Sequence, residues 1–235
     1  MIPRKHGLGS AASALLIAII SVSGCTDKKP EPKVTPSRGA ANGPVTDAGS
    51  NEYSVTGEEI SYDDGVPEQS NSPWSVEPGG RLAAAFTPSS YPVKLAGARF
   101  LISAGGMPKT EFRVRVYGGT AEDGPENGDL LPGDVTASAE YINQWVDVDL
   151  SPYGIVIEEG DFFVAMEWLK APGDDGRLAQ SLGADTSGPD RRSWWKHTTG
   201  SEWVRIEEIS DAGDRDLMIR AHVVGCDPDR PDQRH

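Results

Sequence analysis

Residues 112–117 read FRVRVY, and the reading of that hexapeptide decides the fold class. Phe112, Val114 and Val116 alternate with Arg113, Arg115 and Tyr117, a period of two that puts an apolar set on one face of a strand and a polar set on the other. WVDVDL (145–150) repeats the pattern, with Val146, Val148 and Leu150 against Trp145, Asp147 and Asp149. In DFFVAMEW (161–168) the inward set is Phe162, Val164, Met166 and Trp168. In DLMIRAHV (216–223) it is Leu217, Ile219, Ala221 and Val223, with Arg220 and His222 outward. Such runs are half-buried antiparallel strands.

Working outward, EISYDD, RLAAAF, VKLAGARFLI, DVTASAEY, LAQSLGAD, RSWWKHT and WVRIEEI add further candidate strands. The apolar parity of VKLAGARFLI slips around Ala96–Gly97, which predicts a β-bulge. The chain holds 18 prolines and 27 glycines, and GG, PG, DG and SPYG punctuate the runs as turn signals. No stretch supports a long amphipathic helix. About ten short strands over residues 59–225 predict an all-β domain: a two-sheet antiparallel β-sandwich of the jelly-roll kind, with a closed barrel as the alternative.

The 25 residues at the start differ from the rest. Arg4 and Lys5 precede a twelve-residue apolar run, AASALLIAIISV, which is shorter than the roughly 20 residues a bilayer span requires. This is the pattern of a signal peptide. Residues 1–25 hold no carboxylate, so the remainder carries 20 basic against 36 acidic residues, a net of −16. An acidic body argues against nucleic acid, whose phosphates demand a basic face, and against docking of the globular part on anionic lipid. From Cys25 to about Glu58 proline, glycine, serine and charge dominate, and no apolar period survives. That composition predicts a disordered tether with a reach of roughly 30 Å. Residues 226–235 form a polar tail.

Val22-Ser23-Gly24-Cys25 resembles the lipobox of bacterial lipoproteins: an aliphatic residue, two small ones, then cysteine. The resemblance implies a signal peptide over residues 1–24, cleavage before Cys25, and lipid on the Cys25 sulfur and the new N-terminus. Several acyl chains anchor a protein stably where one does not. Thr26 stands where the sorting rule places aspartate for inner-membrane retention, so the resemblance implies the outer membrane in a host that has one. The alternative is an ordinary secretory signal with Cys25 paired to Cys226; under the lipobox reading Cys226 is a spare thiol. The succession from ISYDDG through WVDVDLSPYGIVIEEGDFFVAMEW to DLMIRAHV is similar to β-sandwich modules of secreted bacterial proteins, found beside peptidases or as surface lipoproteins. That likeness implies a fold and little about activity.

The sequence holds no GxSxG elbow, HExxH helix or phosphate-cradling glycine loop, and no catalytic residue is assigned. No cofactor is required. A structural calcium would find oxygen ligands in YDDG and EDGPENGD, through Asp63, Asp64, Asp123 and Asp129. Trp74, Trp194, Trp195 and Trp203 are the candidate contact residues. Neighbours on a strand face opposite ways, so one of Trp194 and Trp195 is expected to point outward. Arg191, Arg192, Lys196 and His197 make a basic spot around that pair. An exposed indole stacks on a sugar or anchors a protein partner. The expected function is therefore a lipid-anchored binding module for a carbohydrate, an envelope component or a protein, with Trp194, Trp195, Trp203 and Arg192 at the contact. A structural surface lipoprotein is the alternative, and a hydrolase the last.

Overall fold

The computed structural model describes residues 57–71, 77–103, 109–170, 180–209 and 213–226. The signal peptide, Cys25, the tether up to residue 56, Trp74 and the tail beyond 226 lie outside the described residues. Fifteen strands follow in order: β1 (Glu58–Ile60), β2 (Gln69–Asn71), β3 (Arg81–Phe86), β4 (Val93–Ile102), β5 (Phe112–Thr120), β6 (Gly124–Pro125), β7 (Val135–Ala137), β8 (Gln144–Asp149), β9 (Val156–Ile157), β10 (Asp161–Trp168), β11 (Leu182–Asp185), β12 (Ser193–Lys196), β13 (Val204–Arg205), β14 (Asp216–Leu217) and β15 (Ile219–Gly225). Among the described residues the helical segments are two 3₁₀ turns, Ser151–Tyr153 and Ile206–Glu208, and no helix is long and apolar enough to cross a membrane.

The strands form two antiparallel sheets. The first runs β1-β15-β4-β11-β14, with β8 and β9 also on β4 and β2 on β11; the second runs β13-β12-β3-β10-β5-β6, with β7 on β5. The chain changes sheet at eight of its fourteen strand-to-strand connections among the described strands, including β3 to β4 to β5 and β9 to β10 to β11 to β12, so the two are wound together rather than stacked as separate halves. The inward sets read from the sequence meet in the space between. Phe86, Phe112, Val114, Val116, Phe162, Val164, Met166 and Trp168 come from the second sheet, and Leu95, Phe100, Val148, Leu217, Ile219, Ala221 and Val223 from the first. Phe100 and Phe112 join the layers edge to face, centroids 5.2 Å apart, a geometry that aromatic quadrupoles favour.

The bulge is where the parity slip put it. Gly97 pairs His222 and Leu95 pairs Val223, which leaves Ala96 without a partner on β15. A Cβ on Gly97 would lie 3.0 Å from the Val148 carbonyl oxygen, so the bare backbone lets β8 approach.

Four expectations are corrected. The first strand, Glu58–Ile60, ends at Ile60 rather than running through YDD. Asp63 and Asp64 instead accept hydrogen bonds from the backbone N–H groups of Gly65 and Val66, two residues on, and such side-chain turns stop a strand. WVRIEEI is two residues of strand followed by a 3₁₀ turn that buries Ile206. In β10 both faces are buried: Phe163 and Ala165 on the side expected to face solvent are as inaccessible as Phe162 and Val164. Cys226 is half of a disulfide, not a spare thiol; it is the one cysteine among the described residues.

Candidate functional site

The buried outer side of β10 belongs to a second cluster. Ala83 and Ala85 of β3 and Ala165 of β10 form a low floor, and Tyr117, Phe163 and Trp194 lie on it, with Ala121 and Trp203 packed against them. Register explains the arrangement. Ala165 stands opposite Ala83 on one side and Arg115 on the other, and Phe163 opposite Ala85 and Tyr117, so methyl groups at the centre leave room for rings from the flanks. Trp203, just before β13, meets Tyr117 edge to face at 5.7 Å and is half-buried. The Tyr117 hydroxyl and the Trp194 Nε1 are buried without a hydrogen-bond partner. Burial pushes the Tyr117 phenol up to about 12.

Along one edge of this floor runs a charged group. Glu167 accepts from Arg115 Nε at 2.6 Å, Arg113 Nη1 at 3.1 Å and Arg81 Nε at 3.2 Å. Its burial opposes ionisation, but the Arg115 hydrogen bond and the fields of Arg81, Arg115 and Arg113 outweigh that and hold its carboxyl below the ordinary value. Asp129 accepts from Arg115 Nη1 at 2.7 Å, and Asp134 pairs with Arg113 at 3.0 Å. Lys196 faces the Trp203 ring at 5.6 Å.

The four contact residues expected from sequence do not converge. Neither Trp194 nor Trp195 is exposed. Trp194 lies on Gly124, where a Cβ would come within 2.7 Å of its ring, and under the Arg205 guanidinium at 4.9 Å. Arg205 is fixed there by donating to the carbonyls of Arg191, Ala121 and Glu122. Trp195 turns to the other side of the sheet, against the main core and the His197 ring. Arg192 covers the Tyr62 ring at 4.4 Å and donates to Thr87 Oγ1. Of the four, Trp203 alone is a half-exposed ring on the outer face. Sequence reasoning missed Tyr117 and Glu167, because alternation assigned them to a solvated face, and Arg81, whose strand RLAAAF carries no alternation to assign one.

The expected calcium ligands are also dispersed. Asp63 is held by Arg220 at 2.6 Å, Asp129 by Arg115, and Asp123 by Thr120. Asp64 instead joins Glu68 and Asp185, with ligand atoms within 4.8 Å of one another. These three are the described residues that could hold a cation. Asp185 takes N–H groups from Asp64 and Ser187; burial raises its carboxyl, yet the Ser187 and Asp64 hydrogen bonds bring it below the ordinary range. Buried Asp216 is pushed up to about 7 by desolvation, opposed by the Asp190 N–H and assisted by the fields of Asp190, Asp185 and Asp214. Pairing of β2 with β11 brings Glu68 to Asp185, and pairing of β14 with β11 sets Asp216 opposite it, and no local spacing announces either. His222, the other described histidine, pairs with Glu59 at 3.2 Å on the first sheet.

No family model matches the chain. The chain is 30% identical over 168 residues to Bacillopeptidase F of Bacillus subtilis (strain 168), a match covering 70% of this chain and 11% of that protein. It thus spans about a tenth of the relative's length. Among solved structures it is similar to the cysteine protease and lectin-like domains of Cwp84, a surface layer associated protein of Clostridium difficile, with 15% identity, a TM-score of 0.48 and coverage of 62% of this chain and 32% of that one. A second structure of the clostridial protease Cwp84, after propeptide cleavage, gives 14% identity, a TM-score of 0.48 and coverage of 62% and 36%.

Proposed function

We propose that this chain is a lipid-anchored cell-envelope protein whose β-sandwich is a carbohydrate-binding module, with the ligand taken on the outer face of the second sheet. The observation that carries the reading is Trp203, a half-exposed ring on the outer face, edge to face with Tyr117 and facing the Lys196 ammonium. Sugars offer an apolar face on which such a ring stacks. The match to about a tenth of a much longer protein supports an accessory module rather than a whole enzyme. Trp203→Ala in the full chain is expected to weaken binding to a glycan selected from an array by about tenfold, the equivalent of roughly 1.4 kcal/mol. Selection of no glycan, or unchanged affinity in the variant, would sink the reading.

The anchor rests on the lipobox, with the outer membrane as destination in a host that has one. A thioether and a disulfide cannot share one sulfur, and Cys25 is the chain's only cysteine besides Cys226. The anchor and a Cys25–Cys226 disulfide are therefore alternatives: membrane-bound protein is expected to carry lipid on Cys25 by intact mass, and Cys25→Ser to release it to the soluble fraction. A Cys25–Cys226 disulfide in the native product would overturn the anchor.

A further inference from the structure

Four side chains stand in register across four adjacent strands of the outer face: Lys196 on β12, Arg81 on β3, Glu167 on β10 and Arg113 on β5. Two cations thus lie directly opposite each other, a pairing that costs a sheet stability unless an anion compensates. Glu167 is already divided among three arginines, and Asp129 and Asp134 are taken by Arg115 and Arg113. Lys196 is 8% exposed and has no ion pair with a described residue. Burial, and then Arg81, make it a weaker base, and Glu202 acts on it only through its field. On the same outer face the Tyr117 hydroxyl and, at the far end of the row, the Arg113 Nε are buried without partners.

Each of these groups can donate a hydrogen bond, and the Lys196 ammonium has no charged acceptor at ion-pair distance among the described residues. In a chain of net charge −14, two cations facing each other in register are not a by-product of composition. We infer that the ligand is an acidic glycan, whose anionic group sits between Lys196 and Arg81 while the sugar ring lies against Trp203. This rests on the carbohydrate-binding reading and adds the charge of the ligand. Carboxylate and sulfate share the required chemistry, charged oxygen acceptors of hydrogen bonds.

The test measures binding of the full chain to polygalacturonate and to dextran sulfate, against fully methyl-esterified polygalacturonate and plain dextran. At least one acidic polymer is expected to bind tenfold or more tightly than its neutral counterpart, with the preference fading as salt rises; which one identifies carboxylate or sulfate as the source. Lys196→Met is expected to lose about tenfold for that polymer, Lys196→Arg to retain most of it, and Lys109→Met, on a lysine paired to Glu140, to change nothing. Equal affinity for acidic and neutral forms, or unchanged binding in Lys196→Met, would overturn the inference. If acidic and neutral forms bind equally and Trp203→Ala weakens both, the glycan reading survives and the charge assignment falls; binding to none removes both. Should Lys196→Met fail to fold, the acid-against-neutral comparison on the native chain decides.

Discussion

Phe163→Ala is expected to lower stability by about 3–5 kcal/mol, as much as Phe162→Ala on the opposite face of the same strand. Phe163 is 0% exposed and lies between Ala85 and Tyr117 by register. Its ring meets Trp194 edge to face at 6.5 Å. Truncation therefore removes buried apolar surface and leaves a cavity, because the alanine floor has no side chain long enough to fill it. Urea unfolding would show the midpoint falling with the slope unchanged, the sign of lost stability without an altered unfolded state. A cost below about 1 kcal/mol, the usual scale of a surface substitution, would mean that the outer face is not a second core.

Glu167→Gln carries the next largest effect, about 3–5 kcal/mol at neutral pH, because it leaves three guanidiniums crowded on a nearly buried carbonyl and amide. The pH dependence has a definite sign. Folding holds the Glu167 carboxyl below its ordinary value of 4.5, so its stabilisation is complete above that value and disappears as pH falls through the depressed folded one. The wild-type protein should lose stability in acid, while the variant, lacking the titrating group, loses less. Urea midpoints of the two from pH 7 to pH 3 should converge. A gap that stays constant over that range would show that Glu167 contributes through shape rather than charge.

Both effects fall on residues whose surroundings the sequence misassigned, and for one reason. Period-two alternation distinguishes two faces of a strand but knows nothing of what covers each face. Phe112, Val114 and Val116 are apolar in an otherwise polar run, so FRVRVY declares its inner face by itself. DFFVAMEW has two apolar faces, and alternation alone named only one as core. Glu167 and Arg115 read as solvent-facing charges because their compensation lies on neighbouring strands, far apart in sequence. The Trp194–Trp195 pair was correctly read as facing opposite ways, yet the outward ring is covered by Arg205 and seated on Gly124. Neither contact has a local signature.

What the sequence determined by itself is the all-β class, the inward residue of most strands and the bulge at Ala96, since backbone pleat and local parity are properties of consecutive residues. What only the tertiary structure decided is which outward residues meet: the alanine floor with its rings, the Lys196–Arg81–Glu167–Arg113 row and the Asp64–Glu68–Asp185 group. Those depend on strand order and register, which place residues some 45 to 120 positions apart side by side, and no single strand encodes its neighbour.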